Sequence, residues 1–196
     1  MKGGGVFQDE DAVFAGTDDI HILDQILAGE KELFRLLVKR YEPAVYGMGI
    51  GFLRNREDAS DFTQEVFFKL YRSLSQFEGR SRFSTWLYKI AYNTALNSIK
   101  RKKEYASLAE EDIVVDKDTP ERSTLRKLIR EAVLDGVKGL PERFRICVDL
   151  FFFYDRSLKE MEIITGIPVN TIKSHIFRAK KLLRDKLRDF MEGGTE

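Results

Sequence analysis

The chain has 196 residues, 43% hydrophobic and 33% charged, with a formal net charge of +1. That apolar share can fill one or two cores, which excludes wholesale disorder, and 4 prolines with 14 glycines exclude a collagenous or proline-rich chain. No apolar run approaches the roughly 20 residues that span a bilayer, and the first residues carry acids where a signal peptide carries bases, so a cytoplasmic protein is expected.

Residues 1–17 are expected to form a disordered extension. From residue 18 onward the apolar period is helical almost everywhere, and no alternating strand pattern stands out. Asp18 or Asp19 can cap a helix through Ile22 and Ile26, with Gly29 dividing it from a second run through Phe34, Leu37 and Val38. Pro43 is suited to start a further helix through Val45 and Met48 to Leu53. Asn55 with Asp58 resembles a capping pair, and Phe62, Val66, Leu70 and Leu74 then recur at the spacing of a buried stripe. The segment from Phe77 to Phe83 breaks the pattern. Ser84 or Thr85 can cap the next helix, through Leu87, Ile90, Ala91 and Ile99, which runs into the basic knot Lys100-Arg101-Lys102-Lys103. Residues 104–122 carry seven acids against two bases and little periodicity, and are predicted to be a flexible linker reaching about 65 Å when fully extended. A second helical block spans 123–190, with breaks at Gly139 to Pro141, near Tyr154 to Arg156, and at Gly166 to Pro168; residues 191–196 form a tail. The expected fold is all-α: two helical domains, 18–103 and 123–190, joined by the linker.

The C-terminal block carries the sharper signal. Ser157 and Glu160 fit a capping box, Leu158, Met161 and Ile164 mark a short amphipathic helix, and Gly166 can supply its left-handed stop. Pro168 then fixes the start of a second helix. Two helices joined by a short glycine-containing turn make a helix-turn-helix. In the second helix Ile172, Ile176, Ala179 and Leu183 share the core face. Asn170, Lys173, Ser174, Phe177, Arg178 and Lys181 fall opposite, with the donors and cations that contact base edges and phosphates in a major groove. Seven bases against one acid lie between Lys173 and Arg188. Lys173 and Arg178 are the candidates for base contacts, Lys180, Lys181 and Arg184 for phosphates, and Phe177 for a thymine methyl.

In the first block, Phe77, Arg80, Arg82, Phe83, Trp86, Tyr88, Tyr92, Asn93 and Asn97 interleave aromatics with cations and amides. Such a set suits unstacked single-stranded bases, each stack contributing about 1–3 kcal/mol. For any one of these aromatics, a place in the core is the competing reading.

The stretch DFTQEVFFKLYRSLSQFEGRSRFSTWLYKIAYNTALNSIKRKK (61–103) resembles the second conserved region of bacterial sigma factors, and LPERFRICVDLFFFYDRSLKEMEIITGIPVNTIKSHIFRAKKLLRDKL (140–187) resembles the fourth. Their order, the short linker and the lack of a domain between them match the extracytoplasmic-function group. The resemblance implies an RNA polymerase specificity subunit in which Asp61, Gln64 and Glu65 bind the β′ clamp helices of core polymerase. The loop from Phe77 to Phe83, with Arg80 and Arg82, would capture a flipped base of the melted minus-ten element, with Trp86, Asn93 and Asn97 beside it. The helix from Val169 would read the minus-thirty-five duplex through Asn170, Thr171, Lys173, Ser174, Phe177, Arg178 and Lys181, and the same domain would hold the β flap. An anti-sigma factor is an expected partner; a cofactor and a small-molecule substrate are not. Family members often carry Arg where this chain has Lys173 and His175, which lack Arg's planar fork to guanine.

Two rival readings need further features. A conventional repressor or activator would require a signal-receiving or dimerising N-terminal domain, and no such signature is present. An enzyme would require a catalytic or metal constellation, but His21, His175 and the single Cys147 form no recognisable nucleophile–base or zinc spacing. No catalytic and no metal-ligating residue is therefore assigned, and Cys147 is expected to be a small buried hydrophobe.

Overall fold

In a computed structural model, backbone is described for residues 18–106 and 125–193, and side chains for 18–101 and 132–188. The predicted extension 1–17, most of the linker (107–122) and the last tail residues (194–196) lie outside the described residues. Among the described residues every regular element is a helix or helical turn. The chain divides into two compact units, Met1–Lys102 and Lys103–Glu196.

The first unit opens with α1 (Asp19–Ala28), which buries Ile22, Leu23 and Ile26. Asp18 stands at its N-cap without a side-chain capping bond, and Gly29 ends it at φ 123°, a conformation that costs glycine little. After a 3₁₀ turn (Lys31–Leu33), α2 runs unbroken over Phe34–Leu53 with Pro43 in its interior. The expected helix start at Pro43 is therefore wrong. Leu36 and Leu37 before the proline and Val45 and Met48 after it are all buried. Pro43 itself is exposed, so the carbonyl left without its N–H partner can turn to solvent. Core packing on both sides outweighs the local cost.

Asn55 accepts from the Asp58 N–H at 3.1 Å and caps α3 (Arg56–Ser73). That helix buries Ala59, Phe62, Val66, Phe67 and Leu70 against α2, and the 3₁₀ turn Leu74–Gln76 follows. The two helices come close at Gly49, where a Cβ would lie 2.8 Å from the Phe62 ring and 3.1 Å from the Ala59 Cα. Next, α4 (Phe83–Ala106) starts one or two residues before the expected Ser84 or Thr85 cap, runs through the basic knot and continues three residues past Lys103, into the stretch expected to be linker. Thr85 is fully buried, so it serves packing within the helix and does not stand ahead of it.

In the second unit, α5 (Leu125–Lys138) and α6 (Glu142–Val148) join through the break at Gly139 to Pro141. A π-helical turn, Asp149–Phe153, continues α6. The second predicted break then carries Asp155 in the left-handed region at φ 49°. The helix-turn-helix follows as α7 (Leu158–Thr165) and α8 (Val169–Gly193). Val137, Leu140, Phe144, Val148 and Ala179 form one core cluster, with Val133 and Leu183 packed on it. Met161, Ile164 and Ile172 are buried where α7 meets α8.

Candidate nucleic-acid interface

The turn between α7 and α8 is held by local bonds. Ser157 Oγ accepts from the Glu160 N–H at 3.3 Å, and Glu160 Oε2 accepts from the Ser157 N–H at 2.9 Å, completing the predicted capping box. Gly166 ends α7 at φ 71°, its N–H donating to the Glu162 carbonyl at 2.8 Å. Glu162 Oε1 also accepts from the Val169 N–H at 3.0 Å, so an acid on the first helix satisfies the first turn of the second.

Because Ile172, Ile176 and Ala179 are buried, rotation at 3.6 residues per turn sends the other side of α8 outward. Asn170, Thr171, Lys173, Ser174, Phe177, Arg178 and Lys181 are all exposed. Phe177 is 69% exposed, which leaves its ring open to a ligand. Lys180 differs from its neighbours: its ammonium lies 5.3 Å from the centroid of Phe152, itself exposed.

His175 points sideways into the unit. Its ring lies 5.3 Å from that of Phe144, and Nδ1 is 3.7 Å from Cys147 Sγ. Sequence spacing missed this thiol–imidazole pair because 28 residues separate its members. Burial pushes the Cys147 thiol up to about 11. Burial, with Arg143 and Arg178 nearby, holds His175 below its usual value. Both shifts oppose the thiolate–imidazolium form that nucleophilic catalysis uses.

In the first unit, α3 turns Asp61 and Gln64 to solvent and leaves Glu65 half-exposed. Lys69 pairs with Glu65 at 2.7 Å and Arg101 approaches it at 3.4 Å. The hydrogen bond from Lys69 is the main cause holding the Glu65 carboxyl below its usual range, so Glu65 stays ionised. Three residues beyond Glu65, and so on the same side of the helix, Phe68 is 62% exposed, with the Arg72 guanidinium 5.6 Å from its ring centroid. The offset of Phe68 from Asp61 and Glu65, readable in the sequence, sets it among the acids and away from the buried stripe.

The loop 77–82 turns at Gly79 (φ 68°) and exposes Arg80 and Arg82. Behind it three rings cluster: Phe77 and Phe83 meet edge to face with centroids 5.7 Å apart, and Trp86 lies tilted against both, 5.2 Å from Phe77 and 6.0 Å from Phe83. Phe77 and Trp86 are half-buried, so each keeps part of its ring accessible. Phe83, expected at the nucleic-acid surface, is only 2% exposed. Its position at the start of α4, under three other rings, makes it the floor of the cluster. Tyr88 and Tyr92 are likewise buried. Along α4, Trp86, Asn93 and Asn97 fall on one side, and the exposed Lys89 and Lys100 share that side at helical spacing. The 3.6-residue period from Trp86 marks Lys89 in the sequence as a member of this side.

Residues 37–105 match the family Sigma-70 region 2, and residues 130–183 match Sigma-70, region 4. The extracytoplasmic-function RNA polymerase sigma-E factor of Haemophilus influenzae is 35% identical over 184 residues, spanning 88% of this chain and 97% of that one. The RNA polymerase sigma-H factor of Pseudomonas aeruginosa is 33% identical, spanning 88% and 95%. Among solved structures, the sigma factor RpoE of Bartonella quintana, crystallised with the anti-sigma factor NepR, superimposes with a TM-score of 0.66 at 20% identity, covering 79% of this chain and 96% of that one. CnrH, solved with the cytosolic domain of CnrY, gives 0.64 at 22% identity, covering 87% and 97%. These two structures share the fold.

Proposed function

The chain belongs to the extracytoplasmic-function group of the sigma-70 family, whose members confer promoter-specific initiation on RNA polymerase, and from that premise we propose that it reads its promoter in two physical states. The helix α8 enters the major groove of the minus-thirty-five duplex. The loop 77–82 and the outer side of α4 take up the minus-ten element as an opened strand. The observation that carries this reading is the outer side of α8, where Phe177 stands exposed among amides, hydroxyls and cations directly opposite a buried stripe.

In the upstream module, Asn170, Thr171, Lys173, Ser174, Arg178 and Lys181 supply donors, and Phe177 supplies an apolar contact. Lys173 offers a point charge, and His175 is engaged by Phe144 and Cys147, so neither makes a fork to guanine. The upstream element therefore differs from one read by arginine. In the downstream module, flipping a base costs a few kcal/mol, and stacking on Phe77 or Trp86 can offset about 1–3 kcal/mol of it. Arg80, Arg82, Lys89 and Lys100 follow the strand backbone, and Asn93 and Asn97 address base edges; Phe83 supports the platform from below. Asp61, Gln64 and Glu65, extended by Phe68, dock the β′ clamp helices of core polymerase, and the C-terminal unit holds the β flap. An anti-sigma factor restrains the free protein. Bond chemistry belongs to the polymerase, so this chain acts by positioning.

The test is run-off transcription with core polymerase on genomic fragments, followed by permanganate footprinting of the strongest template. Transcripts from a defined start, with reactive thymines near minus ten only when this protein is present, are expected. Duplex binding without initiation would instead favour a conventional repressor and overturn the proposal.

A further inference from the structure

The aromatic platform continues inward through a fourth ring to the N-terminal helix. Tyr41 of α2 lies with its ring centroid 5.9 Å from that of Phe83. Phe83 is buried and touches both Phe77 and Trp86, so it is the shared neighbour of the half-exposed rings and of Tyr41. The Tyr41 hydroxyl donates to one carboxylate oxygen of Asp19, and Arg40 pairs with the other. Asp19 is the first residue of α1, more than 20 positions earlier in the chain. A path of direct contacts thus runs from Asp19 through Tyr41 and Phe83 to Phe77 and Trp86.

We propose that Asp19 and Tyr41 are positioning residues for strand capture: the carboxylate of α1 fixes the Tyr41 ring, and that ring sets the tilt of the platform on which the opened strand stacks. The inference rests on the strand-reading role given above to Phe77 and Trp86. Aromatic stacking depends on ring offset and tilt, and rings packed at tilted and edge-on angles hold each other only while their outer neighbours stay in place. Burial and the Asp19 carboxylate both hold the Tyr41 hydroxyl well above its usual range. It therefore stays protonated and donating throughout the working pH range. The two-oxygen grip, one to a guanidinium and one to a phenol, orients the carboxylate in a way a single partner would not. In this arrangement α1 belongs to the promoter-melting apparatus, although it lies far from the loop in sequence.

Trp86 is the single tryptophan, so its fluorescence reports the platform directly. Asp19→Asn keeps the side-chain shape and removes the charge, Tyr41→Phe keeps the ring and removes the hydroxyl, and Tyr41→Leu removes the ring. Trp86 emission and acrylamide quenching are measured on the free full-length protein. Strand capture is measured on holoenzyme, by anisotropy of a labelled single strand from the minus-ten region of the best run-off template. Expected are altered Trp86 quenching and severalfold weaker capture in Asp19→Asn and Tyr41→Phe. Tyr41→Leu should lose on the order of tenfold, comparable to one stacked base. Affinity for core polymerase should be unchanged in all three, which separates positioning from loss of fold. Wild-type capture in Asp19→Asn and Tyr41→Phe, or weakened capture without any change at Trp86, overturns the inference. Failure of the wild-type holoenzyme to capture the strand overturns instead the strand-reading role on which it rests.

Discussion

At Gly49 α3 packs directly against the α2 backbone, and replacing this glycine with alanine sets two terms against each other. Helix propensity favours alanine over glycine by about 1 kcal/mol in a helix interior. Against this, the new methyl would lie 2.8 Å from the Phe62 ring and 3.1 Å from both Cα and Cβ of Ala59. Phe62 is 2% exposed and Ala59 fully buried, so neither can swing away, and relief requires α3 to retreat by a few tenths of an ångström. Overpacking of this kind costs about 1–3 kcal/mol, so the packing term wins and the net loss is about 1 kcal/mol. Gly47, two residues earlier in α2, is exposed. Alanine there should stabilise by propensity alone, up to about 1 kcal/mol. The assay is thermal unfolding followed by Trp86 emission, which reports only the unit that contains it. For a domain near 90 residues, 1 kcal/mol moves Tm by about 4–8 °C, so the two variants should fall on opposite sides of wild type. A Tm for Gly49→Ala equal to or above that of Gly47→Ala would refute the packing argument.

Asp61→Arg reverses an exposed charge on the side of α3 that carries Gln64 and Glu65 and should weaken association with core polymerase at least tenfold while leaving the helical circular dichroism unchanged; an unaltered pull-down would show that the face is merely solvated. Lys181→Ala should lower the slope of log affinity against log salt by about 0.9 without changing sequence preference. Lys173→Ala should instead relax discrimination at one upstream base pair, at a cost of about 1–3 kcal/mol, and equal weakening on every duplex would remove it from base readout. Burial pushes the Asp149 carboxyl up to about 6, with Arg145 pulling it the other way. The folded state therefore holds this proton more tightly than the unfolded chain does, and its stabilising effect, full at about pH 4 and below, is lost as pH rises through about 6. Asp149→Asn should flatten that part of the stability–pH curve for the second unit, and an unchanged slope would assign it to other groups.

Features set by a few neighbouring residues were legible in the amino-acid order. The Ser157–Glu160 box, the Asn55 cap and the glycine stops at Gly29 and Gly166 each arise within one helical turn, from side chains and backbone conformations that need no distant partner. The buried stripes of α3 and α8 were equally readable, because helical period dictates which residues share a side. Tertiary structure decided the rest. Pro43 remained inside α2 because buried residues on both sides hold that helix together, a contribution that no local rule includes. Phe83 and Trp86 are both aromatic and lie three residues apart, yet one became a floor and the other stayed half-open, since α2 supplies Tyr41 to cover the first. His175 met Cys147, and Asp19 met Arg40 and Tyr41, across 21 to 28 residues of chain. Local backbone chemistry falls off within a turn, whereas the choice between core and surface for a given aromatic depends on which distant helix comes to lie over it.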